Sequence, residues 1–121
     1  METDRELLEL AAKAAGIDGY FDSDDQDDRD EYWNPLIDSG DALRLAVKLG
    51  ITAIPYPIYN ESERHSVIAK QRRRSDMMRE SNPTEVIEVY GNDQYAATRR
   101  AIVRAAAAIG REKQNEASNG N

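Results

Sequence analysis

Three arginines near the C-terminal end, Arg99, Arg100 and Arg104, offer the most distinctive chemistry in the sequence. A guanidinium is planar, permanently charged and carries five N–H donors in a fixed fork, so it grips carboxylate and phosphate groups through paired hydrogen bonds. Helical spacing sets Arg104 beside Arg100 on one stripe and Arg99 about 100° around the axis from Arg100, at the border of an apolar face. An arginine at such a border either pairs with a carboxylate of its own chain or recognises a ligand. Asn92 opens the same helical segment, next to backbone N–H groups suited to anions. These lie about 10 Å along the axis from Arg99. A ligand with two or more phosphates would span both, which favours a di- or oligonucleotide over a mononucleotide. Trp33, the only tryptophan, is either core or an aromatic wall for a base. The ligand-binding set is therefore Trp33, Asn92, Arg99, Arg100 and Arg104.

A second constellation is acidic. Asp22, Asp24, Asp25, Asp27, Asp28, Asp30 and Glu31 stand in one short run, opposed only by Arg29. Such a block repels itself, stays extended and is solvated. Its functional alternative is mimicry of a phosphate backbone toward a basic patch on a protein partner. A calcium reading fails on spacing. With Asp22 in the first position of the EF-hand loop, Asp27 occupies the sixth, where glycine is needed, and Trp33 the twelfth, where glutamate is needed.

Other chemistries lack their residues. There is no cysteine and one histidine, His65, so no common zinc set and no distinctive Ser-His-Asp relay can be assembled. No glycine-rich phosphate loop is present. The chain reads as a non-enzymatic binding protein with no catalytic residue, no metal and no cofactor.

Three helices must position these groups. Thr3 to Glu6 matches a capping box, and Leu7, Leu8, Ala11, Ala14 and Ala15 face inward up to a stop at Gly16. Asp38 or Ser39 caps a second helix in which Ala42, Leu45, Ala46 and Leu49 line one face, with Leu43 and Val47 widening it. Gly50 ends it, and Trp33 and Leu36 plug the core upstream. The third helix starts at Asn92 or Asp93 and runs to about Ile109, with Gly110 as its stop. Tyr95, Thr98, Ile102, Ala105, Ala106 and Ile109 share its buried face, and Arg100, Arg104 and Arg111 its wet face. Between the second and third helices lie strands at residues 51–59, from Val67, and at 85–90. Pro55 and Pro57 make the first an edge strand or an extended arm. The expected fold is α+β: a small antiparallel sheet of about three strands packed by two N-terminal helices and one C-terminal helix. Residues 1–111 form a single domain with an acidic loop at 18–31, and residues 112–121 form a disordered tail.

The net charge of −7 over 121 residues argues against non-specific nucleic-acid binding, which needs a basic surface. The acidic excess lies before residue 50, so a local cationic site in the second half is compatible with it. No apolar run approaches the roughly 18 residues of a membrane span, and no signal-peptide pattern opens the chain. The reading is a soluble cytoplasmic protein. Pro55 and Pro57 block one edge of the first strand. A homodimer is accordingly expected to form through helices or the other edge.

The motif Trp33-Asn34-Pro35, followed by Gly40-Asp41-Ala42-Leu43-Arg44-Leu45-Ala46 and then by Tyr95 through Ala105, resembles small bacteriophage and prophage accessory proteins of the phage α-β-α sandwich domain type. The resemblance covers most of the chain outside residues 18–31 and the tail. It implies an N-terminal helix, an aromatic-polar-Pro segment opening a second helix, a short sheet and a final Ala/Arg-rich helix. It brings no settled activity. It implies a phage-encoded protein in the host cytoplasm that interferes with a host process, a defence system foremost. The first mechanism is sequestration of a small anionic ligand such as a nucleotide. The alternatives are an acidic inhibitor that mimics nucleic acid through Asp22–Glu31, and a purely structural interaction protein.

Overall fold

In the computed structural model, residues 3–17, 33–55, 66–71 and 85–119 are described. They form three helices and one sheet: α1 (Asp4–Ala15), α2 (Ser39–Leu49), β1 (Ile51–Pro55), β2 (Ser66–Gln71), β3 (Glu85–Val89) and α3 (Gln94–Asn119). The sheet is antiparallel with strand order β1-β2-β3, so the proline-bearing β1 is an edge strand. The fold is α+β. The expectations for residues 18–31, for Pro57 and for His65 lie outside the described residues.

Local chemistry sets the helix ends. The Thr3 hydroxyl accepts from Glu6 N–H at 3.1 Å, and the Asp38 carboxylate accepts from Asp41 N–H at 3.0 Å. Asp93 accepts from Tyr95 N–H and Ala96 N–H, which fixes it rather than Asn92 as the cap of α3. Each of these satisfies backbone donors that a helix start leaves orphaned. Gly16 and Gly50 end α1 and α2 with φ of 73° and 67°, a left-handed conformation that glycine adopts without strain.

The core lies between the helices and one face of the sheet. Leu7, Leu8, Ala11, Ala14 and Ala15 of α1, Ala42, Leu45 and Ala46 of α2, and Val67 and Ala69 of β2 are all buried. Trp33 and Leu36 pack against this cluster. The opposite face of the sheet carries Ile54, Ile68 and Ile87 in cross-strand register.

The third helix departs from its expected boundary. It continues through Gly110 to Asn119, so residues 112–119 extend the helix instead of forming a disordered tail. Gly110 serves close packing here, not termination. A Cβ at this position would stand 2.8 Å from the carbonyl carbon of Leu10. Beyond it, Lys113 Nζ donates to the Ala14 carbonyl at 2.9 Å, meeting the last turn of α1, where a cation suits the helix dipole. Arg100 meets Asp4 at the other end, so α1 lies along α3 in the same direction.

The one-sided reading of α3 also gives way. Ala101, Ile102, Val103, Ala105, Ala106, Ala107 and Ile109 are all buried, because this helix packs against α1, α2 and all three strands. Tyr95, assigned to the buried face, is 75% exposed, as are Leu43 (64%) and Val47 (74%) on α2. The buried arc of α2 is centred on Ala42, Leu45 and Ala46. Leu43 and Val47 lie about 100° and 140° around the axis from Ala42, beyond the edge of a stripe about 100° wide.

Candidate functional site

The segment Asn34–Ile37 is a turn built from its own side chains. Ile37 and Asp38 N–H donate to the Asn34 carbonyl at 3.1 and 2.9 Å. Asn34 Oδ1 accepts from Leu36 N–H at 3.0 Å, the Asx arrangement that asparagine favours. Asp41 then ties this turn to α2. Its Oδ2 accepts from Asn34 N–H at 2.9 Å and its Oδ1 from Arg44 Nη2 at 2.7 Å. Only 8% of Asp41 is exposed, and burial of a carboxylate is tolerable because it is paired and hydrogen-bonded. Pro35, within the turn, is fully buried. The result is a fixed Leu36 carbonyl aimed at α3.

Arg99 meets that carbonyl. Its Nε donates to Leu36 O at 2.9 Å and its Nη1 to Ser39 Oγ at 3.0 Å. Both acceptors are neutral. No carboxylate pairs with Arg99 among the described residues, and Nη2 and one Nη1 hydrogen have no partner among them. Arg100 and Arg104 are placed otherwise. Arg104 Nη1 lies 2.6 Å from Glu88 Oε2 and also donates to the Ile87 carbonyl. Arg100 reaches Asp4 at 3.0 Å and Glu88 at 3.9 Å. Two arginines thus share one part-buried glutamate, and the Asp4 contact adds a second acid.

The five residues read as a ligand set are therefore not brought together. Arg99 lines a groove of about 440 Å³ between α2, α3, the end of β1 and Tyr90. Arg100 and Asn92 line a different groove of about 480 Å³ that also holds Asp4, Glu88 and Asp93. Trp33 is half-buried against the core. The geometric reason is the helix itself. Arg99 stands about 100° from Arg100 and 140° from Arg104, and α3 is buried between them.

The Arg99 groove has a consistent construction. Gln94, Tyr95, Thr98, Arg99 and Ile102 come from α3 at spacings of three and four, which aligns them in one stripe. Ser39, Ala42 and Leu43 come from the first turns of α2, and Ala53 and Pro55 from β1. Ile102 and Ala42 are buried, whereas Leu43 and Tyr95 are exposed. Arg99 is the one charged residue of the lining among the described residues. Leu43 and Tyr95 are groove residues that helical spacing alone assigns to the core. The available signal was the apolar arc of α2, which is wider than one packing partner needs.

Among the described residues, no group of three or more His, Asp or Glu side chains could hold a metal ion. No described helix is long and apolar enough to cross a membrane. No protein-family model matches the chain, and no curated protein or solved structure matches it either. Fold and groove together define an α+β chain with a cation set in a largely apolar cleft.

Proposed function

We propose that this chain is a non-enzymatic binding protein for a small anionic ligand, held at Arg99. One observation carries the reading. Of the three arginines clustered on α3, Arg99 alone has no carboxylate partner among the described residues, and no acid among them lines its groove. In a chain of net charge −7, most anions are repelled at long range, so a site must supply its attraction locally. A guanidinium with two of its N–H groups already anchored is held in one geometry. It therefore loses little side-chain freedom when the remaining donors engage a ligand.

Arg100 and Arg104 are not part of this reading, since Asp4 and Glu88 compensate their charges. The resemblance to small phage proteins supplies the biological frame of the proposal. In that frame, a phage-encoded accessory protein in the host cytoplasm withdraws a small anion from a host process, a defence system foremost.

Calorimetry at low ionic strength against a panel of nucleotides and organic acids tests this. At least one anion should bind the native protein. Arg99→Gln should weaken that binding by about tenfold or more, and Arg104→Gln should leave it nearly unchanged. Equal losses in both variants, or binding insensitive to Arg99, would refute the assignment.

A further inference from the structure

We infer that the Arg99 groove takes an organic monocarboxylate with an apolar body rather than a phosphorylated ligand. This rests on the reading of Arg99 as the anion anchor and specifies what it anchors.

Charge matching decides between the classes. Among the described residues, the lining contains one cation and no acid. A phosphate monoester carries about −1.5 to −2 near neutral pH, and among the described residues no second lysine or arginine lines the groove to balance it. The field of a protein of net charge −7 opposes a dianion roughly twice as strongly as a monoanion. The neighbouring groove cannot lend its arginine, because Arg100 there is accompanied by Asp4, Glu88 and Asp93. A carboxylate carries a single charge, and its two oxygens suit the N–H groups left on Nη1 and Nη2 of Arg99.

The remainder of the wall selects the body of the ligand. Ala42, Leu43, Ala53, Tyr90, Tyr95 and Ile102 make it largely apolar. The tyrosine rings offer faces for an aromatic or aliphatic chain. Leu43 and Tyr95 stand exposed at the mouth, so a ligand that reaches Arg99 would withdraw both from water, the favourable term for an apolar molecule. The volume of about 440 Å³ falls within the usual range for small-molecule sites, about 300–1,000 Å³. Ser39 and Gln94 at the rim add uncharged polar groups beside the acid.

The test uses octanoate and 2-naphthoate as acids, their primary amides as neutral twins, and inorganic phosphate and ADP as phosphate probes. Each is titrated calorimetrically into the native protein, Arg99→Gln and Leu43→Asp. Leu43→Asp adds a negative charge at the rim and leaves the Leu36 and Ser39 bonds of Arg99 in place, so it reports on the groove if Arg99→Gln proves unstable. The acids should bind the native protein, and the amides should bind about tenfold or more weakly. Phosphate and ADP should bind less tightly than the acids. Leu43→Asp should weaken the acids by about tenfold with an unchanged melting temperature. Tighter binding of ADP or phosphate that is lost in Arg99→Gln would overturn the monocarboxylate inference while the Arg99 anchor stands. Amides that bind as well as the acids would overturn the role of charge, and with it the anchor. No binding by any probe would overturn both.

Discussion

The backbone of Leu10 lies so close to Gly110 that a Cβ on the glycine would stand 2.8 Å from the Leu10 carbonyl carbon and 3.3 Å from its Cα. The contact joins α1 to α3, the pair between which Asp4–Arg100 and Ala14–Lys113 also form bonds. Gly110→Ala separates two opposing effects. Helix propensity alone favours alanine by about 1 kcal/mol. Overlap with a backbone group cannot be relieved by a rotamer change and costs about 1–3 kcal/mol. Chemical denaturation should show net destabilisation. A gain in stability would mean that the two helices are not this close.

Burial of the core gives a second expectation. Leu45 is among the largest fully buried side chains, and Ile102 is buried on the facing helix. Leu45→Ala or Ile102→Ala should cost about 2–5 kcal/mol, through lost transfer energy and a residual cavity. Losses below about 1 kcal/mol at both positions in urea titrations would show that the α2 and α3 faces are wrongly placed.

Asp41 links the Asn34–Ile37 turn to α2, and with it the Leu36 carbonyl that orients Arg99. Asp41→Ala leaves the Asn34 N–H without its acceptor and should cost about 1–3 kcal/mol. Asp41→Asn keeps an oxygen for that donor and should cost less. The same order should appear in ligand affinity, because the turn holds Arg99. Equal stability of the two variants would show that the Asn34 bond contributes nothing.

Glu88 is shared by two of the three arginines. Arg104 and Arg100 both point at it, 2.6 and 3.9 Å away. Glu88→Gln removes the shared negative charge at a stability cost of about 1 kcal/mol or less, as for partly exposed ion pairs. The variant should gain weak affinity for inorganic phosphate at Arg100 and Arg104, visible by NMR and absent from the native protein. Equal phosphate binding by native and variant would show that Glu88 does not neutralise them.

The parts of this fold that were legible in the sequence are local ones. Thr3, Asp38, Gly16 and Gly50 act on backbone groups within a few residues, so their types and positions reveal their roles. The three strands were legible in position, at Ile51–Pro55, Ser66–Gln71 and Glu85–Val89, while the rest of the first expected span, 56–59, lies outside the described residues. Gly110 was not, since a glycine after an apolar run looks the same whether it ends a helix or admits a neighbouring backbone, and its neighbour Leu10 is remote in sequence. Arg99 was half legible. Its angle from Arg100 follows from helix geometry, but its acceptor is a main-chain oxygen 63 residues away, which no side-chain pattern announces. Leu43 and Tyr95 line the cleft, and apolar spacing alone does not separate a cleft wall from a core because the two have the same composition.

The most direct measurement is an NMR titration of isotope-labelled protein with 2-naphthoate at low ionic strength, following backbone amides and the arginine Nε–H signals. Shifts should concentrate at Arg99, Ser39, Gln94, Tyr95 and Ile102 and saturate together, with Arg100, Arg104 and Asn92 unmoved. Shifts centred on Arg100, Arg104 and Asn92, or no saturable shift anywhere, would contradict the assignment of the anion site to Arg99.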